Sequence, residues 1–150
     1  MVKYNNPPII ESVCEIKFTE DTPWDMTVPG STILAAGEIV TEIQIPTPAA
    51  GFKSAFIKFA IRKSIDFPIV NCAAMIGNGN ARICLNAVYN KPYRALKAEE
   101  AIKGKKIDED SADAAGAAAV ATARALPGDR NKWKIPIAKT MVKRAILACA

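Results

Sequence analysis

The spacing of apolar residues changes once along this chain, near Pro92, and that change limits the folds open to it. Before Pro92 apolar side chains recur at every second position, as in a strand whose successive side chains point to opposite faces. After it they recur at helical intervals. Strands gathered ahead of helices predict an α+β sandwich. Its antiparallel sheet, of three to five strands, is packed on one face by three C-terminal helices. At 150 residues the chain can enclose one substantial core.

Each period-two stretch has its own boundary signals. Residues 8–18, PIIESVCEIKF, and 38–46, EIVTEIQIP, both alternate, the second stopped by Pro46. Between them lies a loop rich in proline, with Gly30 at its end. Residues 54–62 set Ala55, Ile57, Phe59 and Ile61 against Phe56, Lys58, Ala60 and Arg62. Residues 68–76 are short, apolar and partly β-branched, which predicts a strand buried on both faces. The run GNGN, 77–80, then joins it to a strand over 81–89, the strongest hairpin signal here. A phosphate-binding loop would need a helix N-terminus behind Gly77 and Gly79, and a strand follows instead.

The helical half is equally punctuated. Residues 94–104 place Leu96 and Ala101 near Ala95 and Ile102 and end at Gly104, a suitable terminator. Arg94, Glu99 and Glu100 read as a solvated face of this helix. The stretch 108–126 opens with acidic residues and Ser111, as a helix N-terminus favours. Its many alanines allow close packing, with Val120 and Leu126 as an apolar seam. In 132–150, Ile137, Met141, Val142, Ala145, Ile146 and Cys149 fall at helical spacing, with Pro136 in the first turn. Lys139, Lys143 and Arg144 populate the wetter side. Trp24 and Trp133 suit either a core or an interface.

Composition excludes several kinds of chemistry. Histidine is absent, which removes the commonest general base and metal ligand. The cysteines Cys14, Cys72, Cys84 and Cys149 lie far apart, without metal or redox spacing, and read as buried reduced thiols. A stand-alone enzyme is therefore disfavoured. No apolar run reaches the length of a membrane span, and no signal-peptide pattern opens the chain, so a cytoplasmic protein is expected. The net charge is +5, yet residues 1–30 carry Lys3 and Lys17 against Glu11, Glu15, Glu20, Asp21 and Asp25. The basic excess past Gly30 is scattered, which argues against nucleic acid as the partner. A small protein- or nucleic-acid-interaction module with no redox role stays open as an alternative.

Several stretches, taken in order, carry a resemblance. STILAAGEIVTEIQIP, SAFIKFAIRKSIDFPIVNCAAMI, ARICLNAVYNKPYRALKAEEAIKGK and the closing AKTMVKRAI resemble the C-terminal domain of molybdenum-hydroxylase flavoprotein subunits. These are the FAD-binding, medium subunits of the carbon monoxide dehydrogenase and xanthine dehydrogenase families. The resemblance covers residues 31–150. It implies a non-catalytic domain that packs beside the flavin domain and lines the cofactor, with FAD bound in the parent subunit and not tightly by this chain alone. It implies iron–sulfur and molybdopterin subunits as partners. Carried over by position, Ile39 and Val40 match residues beside the isoalloxazine ring, and Lys58 matches a basic residue at the flavin. Residues 1–30 instead resemble the opening of an uncharacterised group of bacterial proteins, and read as a strand and loop of different origin. That strand would cover a sheet edge, or pair between two copies as a homodimer.

Overall fold

The computed structural model describes residues 47–48, 50–62, 65–89 and 92–150. The strands expected over 8–18 and 38–46, the candidate residues Ile39 and Val40, Cys14, Trp24 and the proposed boundary near Gly30 lie outside them. Within them the order is β1 (Lys53–Phe59), β2 (Val70–Gly77), β3 (Asn80–Asn86), β4 (Tyr93–Arg94), α1 (Leu96–Ile102), α2 (Glu109–Val120) and α3 (Lys134–Leu147). A short 3-10 turn, Pro127–Asp129, separates α2 from α3. The strands form an antiparallel meander in sequence order, as the period-two runs require. The α+β sandwich expected from the sequence is present.

The hairpin between β2 and β3 turns at Asn78 and Gly79, both at positive φ (51° and 73°). This is the primed turn whose twist matches the flanking strands. Its tip is anchored from outside. The Asn78 side-chain amide donates to the Ala50 carbonyl at 3.0 Å. At Gly77 an added Cβ would come within 2.4 Å of the Gly51 carbonyl oxygen. The glycine thus lets the chain entering β1 press backbone to backbone against the turn.

One sheet face meets the helices. Val70, Cys72 and Ala74 of β2 and Ile83 and Leu85 of β3 enter the core with Ala55 and Ile57 of β1 at its margin. Helix α3 lies over β2 and β1, α1 lies over β3, and α2 packs on the other two helices. Met141, Val142, Ala145 and Ile146 of α3 are buried as their spacing predicts, and Pro136 stands in the first turn. Full burial of Val142 and Ile146 contributes about 1.5–3 kcal/mol each relative to exposure.

Helix α2 starts on a reciprocal cap. The Asp108 carboxylate accepts from the Ser111 amide at 2.8 Å, and the Ser111 hydroxyl accepts from the Asp108 amide at 3.0 Å. The Ser111 amide is the main reason the Asp108 carboxyl sits below its ordinary value. The buried seam of α2 is Ala112, Ala115, Gly116 and Ala119. At Gly116 a Cβ would come within 2.7 Å of the Lys139 carbonyl of α3, so the small side chains permit a very close helix approach. Ion pairs flank the seam: Lys139 with Asp113 at 2.9 Å and Lys143 with Glu109 at 2.7 Å.

Three expectations from helical spacing fail. Leu126 lies beyond the end of α2 and Leu96 stands at the start of α1; both are more than half exposed. Short helices with small buried faces leave no room for them. Glu99, expected on a solvated face, is only 9 % exposed. The cause is a hydrogen-bonding deficit at the sheet edge. Ile83 of β3 would pair with Ala95, and its carbonyl does accept from the Ala95 amide at 2.9 Å. The Ala95 carbonyl, however, already accepts from the Ala98 and Glu99 amides that open α1, at 2.9 and 3.1 Å. The Glu99 carboxylate takes its place and accepts from the Ile83 amide at 2.9 Å. The Arg94 guanidinium holds that carboxylate from both sides, Nε to Oε1 at 3.0 Å and Nη2 to Oε2 at 3.1 Å.

Candidate functional site

The sheet face turned away from the helices is where the chain can meet something else. Its side chains follow from the register. One row is Ser54, Met75 and Arg82; the next is Phe56, Ala73, Cys84 and Arg94; the third is Lys58, Asn71 and Asn86. The rows differ in exposure. Met75, Ala73 and Cys84 are buried, whereas Lys58 and Asn86 are exposed, Asn71 is half-buried and Phe56 is 63 % exposed. The face is open at its Lys58 end.

Lys58 lies there because β1 alternates. Ile57 turns toward the core, so Lys58 must turn the other way. Among the described residues its ammonium has no hydrogen bond or ion pair. Arg62, from the same basic run, is differently committed: its Nε pairs with Asp66 Oδ2 at 3.0 Å. That pair braces the link from β1 to β2, where Asp66 Oδ1 also accepts from the Phe67 amide at 3.0 Å. The strand ends at Phe59, short of the expected residue 62, and leaves Ile61 and Phe67 85 % and 92 % exposed beside the open end. An apolar rim therefore borders a cation that is unpaired among the described residues. Of the three cofactor-lining candidates only Lys58 is placed.

The thiols are unsuited to chemistry. Cys72, Cys84 and Cys149 are all buried, as expected for structural thiols. Burial pushes the Cys72 thiol up to about 12, aided by Cys84 and Cys149 nearby. Cys149 instead donates to the Ala74 carbonyl at 3.6 Å. Among the described residues no three His, Cys, Asp or Glu side chains gather as a metal site. No described helix is long and apolar enough to cross a membrane. Trp133 precedes α3 and is half-exposed, its indole N–H donating to the Arg130 carbonyl at 3.1 Å.

Sequence reasoning missed Glu99, because the contact that buries it is not local. Its hydrogen bond to Ile83 spans 16 residues. The nearest available signal is the arginine five positions upstream, which is compatible with a solvated pair just as well.

Comparison with known proteins shows which family the fold belongs to. Residues 55–149 match the family described as the CO dehydrogenase flavoprotein C-terminal domain. The glyceraldehyde dehydrogenase medium chain of Sulfolobus acidocaldarius is 31% identical over 87 residues, which cover 55% of this chain and 30% of that one. Among solved structures, a carbon monoxide dehydrogenase from Hydrogenophaga pseudoflava superposes with a TM-score of 0.61 at 32% identity, over 70% of this chain and 39% of its own. Quinoline 2-oxidoreductase from Pseudomonas putida 86 gives 0.60 at 31%, over 70% and 38%. The chain thus spans well under half the length of each of these relatives.

Proposed function

Since the chain belongs to the CO dehydrogenase flavoprotein C-terminal domain family, we propose that it serves as the cofactor-lining domain of an FAD-dependent molybdenum-hydroxylase-type oxidoreductase. The observation that carries this reading is Lys58, which has no partner among the described residues, on the open end of the sheet face. The residues fit a flavin. A planar ring requires a flat surface, which a pleated face with Phe56 at its edge supplies, and a nearby cation suits its electron-accepting end. FAD contributes the redox chemistry. Lys58 contributes a positive charge that stabilises negative charge on the reduced ring, and Ile39 and Val40 border the same ring.

The chain grips neither phosphates nor metal in this reading; it walls the site and excludes water. The exposed Ile61 and Phe67 pack against the flavin-binding portion of the parent subunit. Iron–sulfur and molybdopterin subunits complete the assembly, which works in the cytoplasm. The interaction-module alternative gains nothing from the basic residues, several of which are spent on Asp66, Asp113, Glu109 and Asp129 within the chain.

The test joins residues 31–150, which include Ile39, Val40 and Lys58, to the flavin domain of a medium chain such as that of quinoline 2-oxidoreductase. The hybrid retains FAD with its fluorescence quenched, while the 150-residue chain alone leaves added FAD unquenched. Lys58→Gln in the hybrid lowers the flavin midpoint potential. Tight FAD binding by the chain alone, or a potential indifferent to Lys58, contradicts the proposal.

A further inference from the structure

Lys58 does not stand alone on its row. The register sets it opposite Asn71, and Asn71 opposite Asn86. Directly opposed residues on one face hold their Cβ atoms about 5 Å apart, so an ammonium and two amides share one small area. Asn86 is partly spent, because its side-chain carbonyl accepts from the Ala87 amide at 2.8 Å. The Asn71 side chain makes no hydrogen bond among the described residues, although it is half-buried on an interior strand. A half-buried amide with unused donor and acceptor is suited to a ligand that presents both.

We propose that Asn71 reads the pyrimidine edge of the isoalloxazine ring, beside Lys58. That edge presents two carbonyls with an N3–H between them. Lys58 has donors only, so it can serve a carbonyl but cannot accept from N3–H. The Asn71 carbonyl accepts from N3–H while its NH2 donates to an adjoining ring carbonyl. Together the two side chains match the edge in donor, acceptor and charge, which neither does alone. Asn71 is thereby a specificity residue for the imide edge, a role that rests on the reading of the Lys58 end as the flavin wall.

The test uses the isotopically labelled 150-residue chain with riboflavin in large excess as a weakly bound probe, a contact far short of tight FAD binding, and 3-methylriboflavin as the analogue lacking N3–H. Riboflavin shifts the backbone resonances of Phe56 and Lys58 and the side-chain amide resonances of Asn71. The 3-methyl analogue binds roughly five- to tenfold more weakly, the loss expected of one hydrogen bond, and leaves the Asn71 side-chain signals in place. In Asn71→Leu, riboflavin and its 3-methyl analogue bind alike. Shifts at Phe56 and Lys58 with Asn71 unmoved, or equal affinity for both probes in the unmodified chain, overturn the Asn71 role alone. An absence of shifts anywhere on this face overturns the Asn71 role too, while the flavin wall itself stands or falls on the potential of the Lys58→Gln hybrid.

Discussion

Replacing Glu99 by alanine takes a hydrogen-bond acceptor from the Ile83 amide and a counter-charge from Arg94 in one step. The magnitude follows from the two losses. A buried amide left without an acceptor costs about 1–3 kcal/mol. The ion pair lies between the surface case, worth about 0–1 kcal/mol, and the buried case, where breaking a pair costs about 3–5 kcal/mol. With side-chain exposures of 25% for Arg94 and 10% for Glu99, an intermediate cost near 1–2 kcal/mol is appropriate. Glu99→Ala should therefore destabilise by about 3 kcal/mol, or roughly 10 °C in Tm for a domain of this size. Glu99→Gln is the discriminating variant. It keeps a carbonyl for the Ile83 amide and gives up only the charge, so it should cost about 1 kcal/mol. Urea unfolding followed by far-ultraviolet circular dichroism measures both, and an unchanged slope excludes a denatured-state effect. If glutamine proves as damaging as alanine, the carboxylate acts through charge alone and the edge-capping account is wrong. A loss under 0.5 kcal/mol for alanine would refute both halves.

Other outcomes follow from the same packing. Gly116→Ala should destabilise by about 1–2 kcal/mol in thermal unfolding, because overpacking against the Lys139 carbonyl outweighs the gain in helix propensity; a stabilised variant would mean that α2 and α3 separate easily. Asp108 and Asp113 have lowered carboxyl values, through the Ser111 amide and the Lys139 ammonium respectively. Their contribution is present above the unfolded value near 3.8 and lost as pH falls through the folded values below it. Asp108→Asn/Asp113→Asn should accordingly narrow its stability gap to the parent chain below pH 3.8, and a gap constant in acid would contradict the assignment. Cys72 should resist a thiol reagent at pH 8 until urea unfolds the sheet, read by mass mapping of labelled peptides; rapid native labelling would show that the core opens locally.

What the sequence disclosed was local. The switch of period near Pro92, the Asn78–Gly79 turn and the acidic start with Ser111 each act within a few residues, and among the described residues the elements they predict are present. Lys58 was legible as well, since alternation with Ile57 decides its face. Where spacing misled, the deciding partner was remote. Leu96 and Leu126 look like core residues on a helical wheel, but α1 is buried through Ala98, Glu99 and Ile102 and α2 through three alanines and a glycine. Glu99 looks solvated because nothing near it in sequence reveals that Ile83 lacks an acceptor. The far-face row of Lys58, Asn71 and Asn86 needs the pairing of β1, β2 and β3, which no single stretch contains.

The anchored hairpin tip has an effect at the opposite end of its strands. Because side chains invert with every residue, sliding β1 by one position would drive Lys58 under the helices and send Ile57 outward. The grip of Asn78 on Ala50, and the tight seat of Gly51 at Gly77, oppose such a slide. Strands of this length run about 20 Å, so a glycine helps to determine, from that far away, which way the Lys58 ammonium points.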